Sequence, residues 1–154
     1  MESNLADIAH IIQLAVAPVF LLTGIGAILG VMTNRLARVV DRTRILEVRI
    51  LEGDDNADVL RDELKALFRR AVLASRAITL CTATALLICA VIILLFVGDI
   101  VGVTVKIPVV TLFVLAMTAF FIGLVYFLRE IMLSSSSIEQ SARRVLEKRR
   151  LVEP

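Results

Sequence analysis

The stretch ITLCTATALLICAVIILLFV, Ile78 to Val97, holds 20 consecutive residues without a charge, a proline or a glycine. At 1.5 Å per residue a helix of that length is about 30 Å long, the hydrocarbon thickness of a bilayer. Two further uncharged runs flank it, Ile11 to Val31 upstream and Ile107 to Leu128 downstream. Three such runs predict an all-α integral membrane protein with three transmembrane helices, over residues 10–33, 77–97 and 107–128.

The charges between the runs set an orientation. Of 17 Lys and Arg, ten lie between Asn34 and Arg76, six lie from Arg129 onward, and one, Lys106, lies between the second and third runs. The positive-inside rule places the first two regions in the cytoplasm and the segment Gly98 to Lys106 outside. Residues 1–32 carry Glu2 and Asp7 but no basic residue, which favours an outside N-terminus. They also lack the basic start of a cleavable signal peptide, so the first run is expected to remain as an anchor. After three crossings the C-terminus is inside, in agreement with Arg143, Arg144, Lys148, Arg149 and Arg150. With 154 residues, 58% of them hydrophobic, the chain has room for one membrane domain, 1–154, and a modest extension beyond it.

Asn34 to Leu51 contains neither Gly nor Pro and is expected to carry the first helix into the cytoplasm, where Gly53 can end it. Asp54, Asp55, Asn56 and Asp58 then supply a turn and an N-cap for a second long helix running to Val97. Leu36, Val39, Thr43, Leu46 and Ile50, and likewise Leu60, Leu64, Leu67, Ala71, Ala74 and Ile78, recur at heptad-like spacing. Together they predict a cytoplasmic antiparallel helical hairpin over 34–76. Ser134 to Ser137 is expected to interrupt the third helix, with Ser137 and Gln140 opening a short C-terminal amphipathic helix over 137–150.

On a helical wheel Arg35, Arg38, Arg42 and Arg49 fall within a sector of about 60°. This basic stripe can contact anions or lipid phosphates, or form an ordinary solvated face. Asp41 is expected to pair with Arg38 or Arg44. Gly24, Gly26 and Gly30 make the first span rich in small residues, and the pair Gly26 and Gly30 has the spacing that permits close helix packing, within or between subunits. Pro18 is expected to bend that helix, since a carbonyl one turn earlier loses its donor. His10 and Gln13 share its outer end as a candidate polar vestibule. The threonines of the second and third spans are expected to bond back to their own helices.

Several chemistries lack their usual residues. Cys81 and Cys89 lie eight residues and about 12 Å apart along one helix, too far for a disulfide, and read as small apolar fillers. Asp54, Asn56 and Asp58 imitate the start of a calcium loop, but Val59 and Lys65 stand where Gly and Glu are needed. No phosphate-binding glycine loop, nucleophile elbow or HExxH motif is present, and no charged residue lies mid-span. The expectation is a non-enzymatic protein with no cofactor, no metal and no nucleic-acid partner.

The run from Ile8 to Leu22, followed by the glycine-rich half-span and by Asn34 to Arg42, resembles the signature of a bacterial membrane family, domain of unknown function 2721. The resemblance implies a three-span bacterial inner-membrane protein and brings no activity. His10, Gln13, Pro18, Asn34, Arg35, Arg38, Asp41 and Arg42 are its signature positions here. Three spans enclose little interior, and the small-residue first span, with Val40, Val48 and Leu51 off the main seam, offers surface for a homo-oligomer. Two readings follow: a channel-like oligomer with Arg35, Arg38 and Arg42 at its cytoplasmic mouth, or a non-conducting scaffold whose hairpin binds a partner or anionic lipid.

Overall fold

The computed structural model describes the backbone of residues 2–52, 57–101 and 105–152, and the side chains of residues 12–52, 59–98, 100–101 and 105–134. The described residues form three helices and no strand: α1 (Glu2–Leu51), α2 (Ala57–Val101) and α3 (Lys106–Val152). Each contains a segment long and apolar enough to cross a membrane. In hydrocarbon every backbone N–H and C=O must be satisfied within the chain, so helix persists even through residues that weaken it in water. Accordingly α1 continues through Pro18, Gly24, Gly26 and Gly30.

Consecutive helices are antiparallel. Met32 of α1 meets Cys81 of α2, and ten residues further along α1, Arg42 meets Glu63. Thr84 of α2 meets Ala116 of α3, and Arg70 meets Glu130. One apolar cluster, Ile25, Met32, Ala77 and Cys81, lies within the spans and is joined by Phe120, Leu124 and Phe127 of α3. A second, Val39, Leu46, Leu60 and Leu67, fills the space between the later half of α1 and the start of α2, with Ile50, Leu64 and Ala71 at its edge. The buried positions there coincide with the heptad-like seam of the sequence.

Close approach between α2 and α3 depends on Gly123. A Cβ at that position would stand 3.1 Å from Cys81 Sγ and 3.2 Å from Leu80 Cβ. The same interface buries Thr84, whose hydroxyl lies 2.9 Å from Leu80 O and 3.3 Å from Ala116 O. Its one proton is shared between its own helix and the neighbour. Near the C-terminal end of α2, the missing side chain of Gly98 admits Val105, which would otherwise lie 2.5 Å from a Cβ.

The C-terminal region differs from the sequence expectation. α3 runs unbroken from Lys106 to Val152, through Ser134 to Ser137, so residues 137–150 extend the third helix instead of opening a new one. Serine costs a helix only a few tenths of a kcal/mol relative to alanine, roughly 0.5, and four in a row do not supply the stop that Gly or Pro would. The side chains of this segment, and with them its amphipathic face, lie outside the described residues, as do the turn residues Gly53 to Asn56.

Candidate functional site

The most polar buried point of the described structure is Glu130, whose side chain is 1% exposed. It stands two residues beyond the last apolar run, where α3 leaves the uncharged stretch ending at Leu128. Arg70 of α2 approaches Oε1 with Nη2 at 3.1 Å and Nε at 3.4 Å, and the same Nη2 donates to Ser134 Oγ at 2.8 Å. Arg35 of α1 sets Nε 3.2 Å from Oε2. Oε2 accepts no hydrogen bond, so this second contact is an ion pair whose N–H is not aimed at the oxygen. The Arg35 guanidinium also lies 5.7 Å from the Phe127 ring centroid, within range of a cation–π contact.

One carboxylate therefore ties all three helices at one level. A buried carboxylate is costly unless its charge is compensated, and two guanidinium groups compensate it with one positive charge in excess. Both arginines are largely withdrawn from solvent, Arg70 at 17% and Arg35 at 29% exposed.

The cluster redistributes the basic stripe. Arg35 is held by Glu130, and Arg42 by Glu63 at 3.0 Å. Arg38 and Arg49 are exposed and form no ion pair with the described residues. Four arginines sharing one sector of a wheel thus become two engaged by other helices and two open. Asp41 is exposed, and no described basic residue pairs with it.

The glycines of the first span behave unlike Gly123. A Cβ at Gly24, Gly26 or Gly30 would meet nothing within 4 Å, so none of the three serves close packing inside the subunit. Thr23, Ala27, Thr33 and Asn34 are exposed beside them. Thr23 and Thr33 bond back to Val19 O and Leu29 O at 3.3 and 2.6 Å. Back-bonding also holds at Thr79, Thr82, Thr111 and Thr118, as expected from the sequence. Gln13 is exposed and Pro18 half-buried, while the His10 side chain lies outside the described residues. Of the two cysteines only Cys81 acts as core filler, its Sγ 4.0 Å from Met32 Sδ; Cys89 faces outward.

Sequence reasoning missed Glu130, Arg70 and Ser134. The available signal was modest: Glu130 is the sole acid from Ile107 to Ile138, and it is followed by the apolar trio Ile131, Met132 and Leu133. An acid set between an apolar run and an apolar trio, with Arg129 as its one charged neighbour, is more apt to face inward than one in a charge run.

No curated protein and no solved structure matches the chain significantly. The family model described as "Protein of unknown function (DUF2721)" matches residues 15–140, a region that includes the whole Arg35, Arg70, Glu130 and Ser134 cluster. That match covers most of the sequence, and the chain belongs to the DUF2721 family.

Proposed function

We propose that the protein is a homo-oligomeric, channel-like component of the bacterial inner membrane, with its N-terminus outside and α1 of each copy turned toward the oligomer axis. In this reading the packed parts of α1 and α2 beyond the bilayer are a cytoplasmic hairpin and the end of α3 is a cytoplasmic helix. The supporting observation is the face of α1 opposite its core. Thr23, Ala27, Gly30 and Asn34 recur there at spacings of three and four, exposed along the span and leading to Arg38. Among the described residues the centre of the subunit is filled by Ile25, Met32, Ala77 and Cys81, so in this reading the conduit runs between copies. With Arg35 and Arg42 engaged by acids, Arg38, which lies eleven residues nearer the span than the equally open Arg49, is the stripe residue available to a cytoplasmic mouth, where it would favour anions.

The test is reconstitution in a planar bilayer across a salt gradient. Discrete currents whose reversal potential moves in the Arg38→Glu variant support the channel; unchanged selectivity removes Arg38 from the mouth. A stable oligomer without current favours a second reading, a scaffold that binds a partner through the hairpin. One observation supports that alternative: a shallow recess of about 220 Å³ lined by Val40, Thr43, Arg44 and Glu47 of α1 and by Phe68 and Ala71 of α2, with Phe68 half exposed.

A further inference from the structure

The Arg35, Arg70 and Glu130 cluster holds more positive charge and more donors than its own carboxylate uses. Arg35 meets Glu130 through Nε as an ion pair without a hydrogen bond, and no described residue takes a hydrogen bond from its two terminal nitrogens. Arg70 spends Nε and Nη2 and leaves Nη1. Both guanidinium groups lie on a single carboxylate, one on each oxygen, so they stand at one level of the bundle, and both reach the surface in part. A planar fork of this kind matches the oxygens of a phosphate better than a lone ammonium does.

Depth and position narrow the occupant. Arg35 lies four residues past Val31, and Glu130 two residues past Leu128, which is about 3–6 Å beyond the apolar runs along a helix. The headgroup layer begins at that depth and is about 5–7 Å thick on each side. A basic recess between transmembrane helices on the cytoplasmic side is a recurring place for anionic headgroups. The half-buried Phe127 ring beneath Arg35 adds an apolar wall against which an acyl chain can lie.

We propose that the unused edges of Arg35 and Arg70, backed by the buried Glu130, bind the phosphate of an anionic phospholipid between the three helices of one subunit. The site rests on the membrane topology proposed above and is independent of conduction. Glu130 sets its strength: the carboxylate holds the two arginines together while cancelling one of their charges.

The test uses full-length protein in mild detergent, stripped of lipid and titrated with phosphatidylglycerol, phosphatidylcholine or inorganic phosphate, with retained ligand read by native mass spectrometry. No current is measured, so an electrically silent protein leaves the result intact. Wild-type protein is expected to retain phosphatidylglycerol over phosphatidylcholine, and Arg35→Gln and Arg70→Gln to weaken that retention by about tenfold each, one hydrogen-bonded charge contact's worth. Arg49→Gln, on the same helix but away from the cluster, should retain it fully. Glu130→Gln, which keeps the side-chain shape and removes the internal counter-charge, should retain it more tightly, an outcome that a purely structural role would not give. Equal retention of the two lipids by wild-type protein would overturn the proposal even if the arginine variants failed to fold. So would unaltered retention in a helical Arg35→Gln protein. Protection from thermal unfolding by inorganic phosphate, without lipid selectivity, would assign the arginines to a soluble anion and overturn the lipid assignment.

Discussion

Gly123 and the pair Gly26 and Gly30 are the same residue in three membrane helical positions, yet they have opposite surroundings. Gly123 is pressed against Ala77, Leu80 and Cys81, where added volume has no room, whereas Gly26 and Gly30 face open space. Lipid tails are as apolar as leucine, so apolarity alone does not bring membrane helices together; close backbone approach and interhelical polar contacts do. The α2 and α3 pair uses both devices, through Gly123 and Thr84, and α1 is tied to α3 by the Arg35 and Glu130 contact. The outward face of α1 carries the means for close packing and uses them nowhere within the subunit.

That contrast can be broken most forcefully at Glu130. Glu130→Ala strands two arginines that are mostly withdrawn from water and removes the link among three helices; we expect a loss of about 3–5 kcal/mol, read as a lower denaturant midpoint in detergent. Gly123→Leu should follow, with about 1–3 kcal/mol lost by overpacking against Cys81 and Leu80, measured in the same titration. Thr84→Val keeps the shape and removes the shared hydroxyl proton, for which about 0.6 kcal/mol is the expected cost. Gly26→Leu and Gly30→Leu should leave subunit unfolding nearly unchanged while lowering the mass of the detergent complex. Loss of subunit stability in these last two variants would erase the distinction between the inner and outer glycines.

Much of the architecture was legible because the signals were local. An uncharged run of twenty residues has few soluble alternatives, and the spacing of Val39, Leu46, Leu60 and Leu67 names the positions that the structure buries. The cluster was not legible, since Arg35, Arg70 and Glu130 are separated by 35 and 60 positions and meet only when the helices are docked. A wheel drawn for one helix groups Arg35 with Arg38, but it contains no information about which of them finds an acid on another helix. The four serines mislead for a different reason: they interrupt hydrophobicity without interrupting backbone hydrogen bonding, so the hydrophobic period ends before the helix does. The spacing of Gly26 and Gly30 marks a packing surface in the sequence, but which partner that surface serves is not written there.

The most direct test of the central claim, that the outward face of α1 is where copies meet, is cysteine cross-linking in the membrane. In a Cys89→Ala background, with Cys81 buried between helices and out of reach of a second copy, Ala27→Cys and Leu86→Cys place single thiols on exposed faces of α1 and α2. Efficient dimeric cross-links from position 27 and none from position 86 are the expected result. Cross-links from position 86 alone would contradict the account and move the contact between copies to α2.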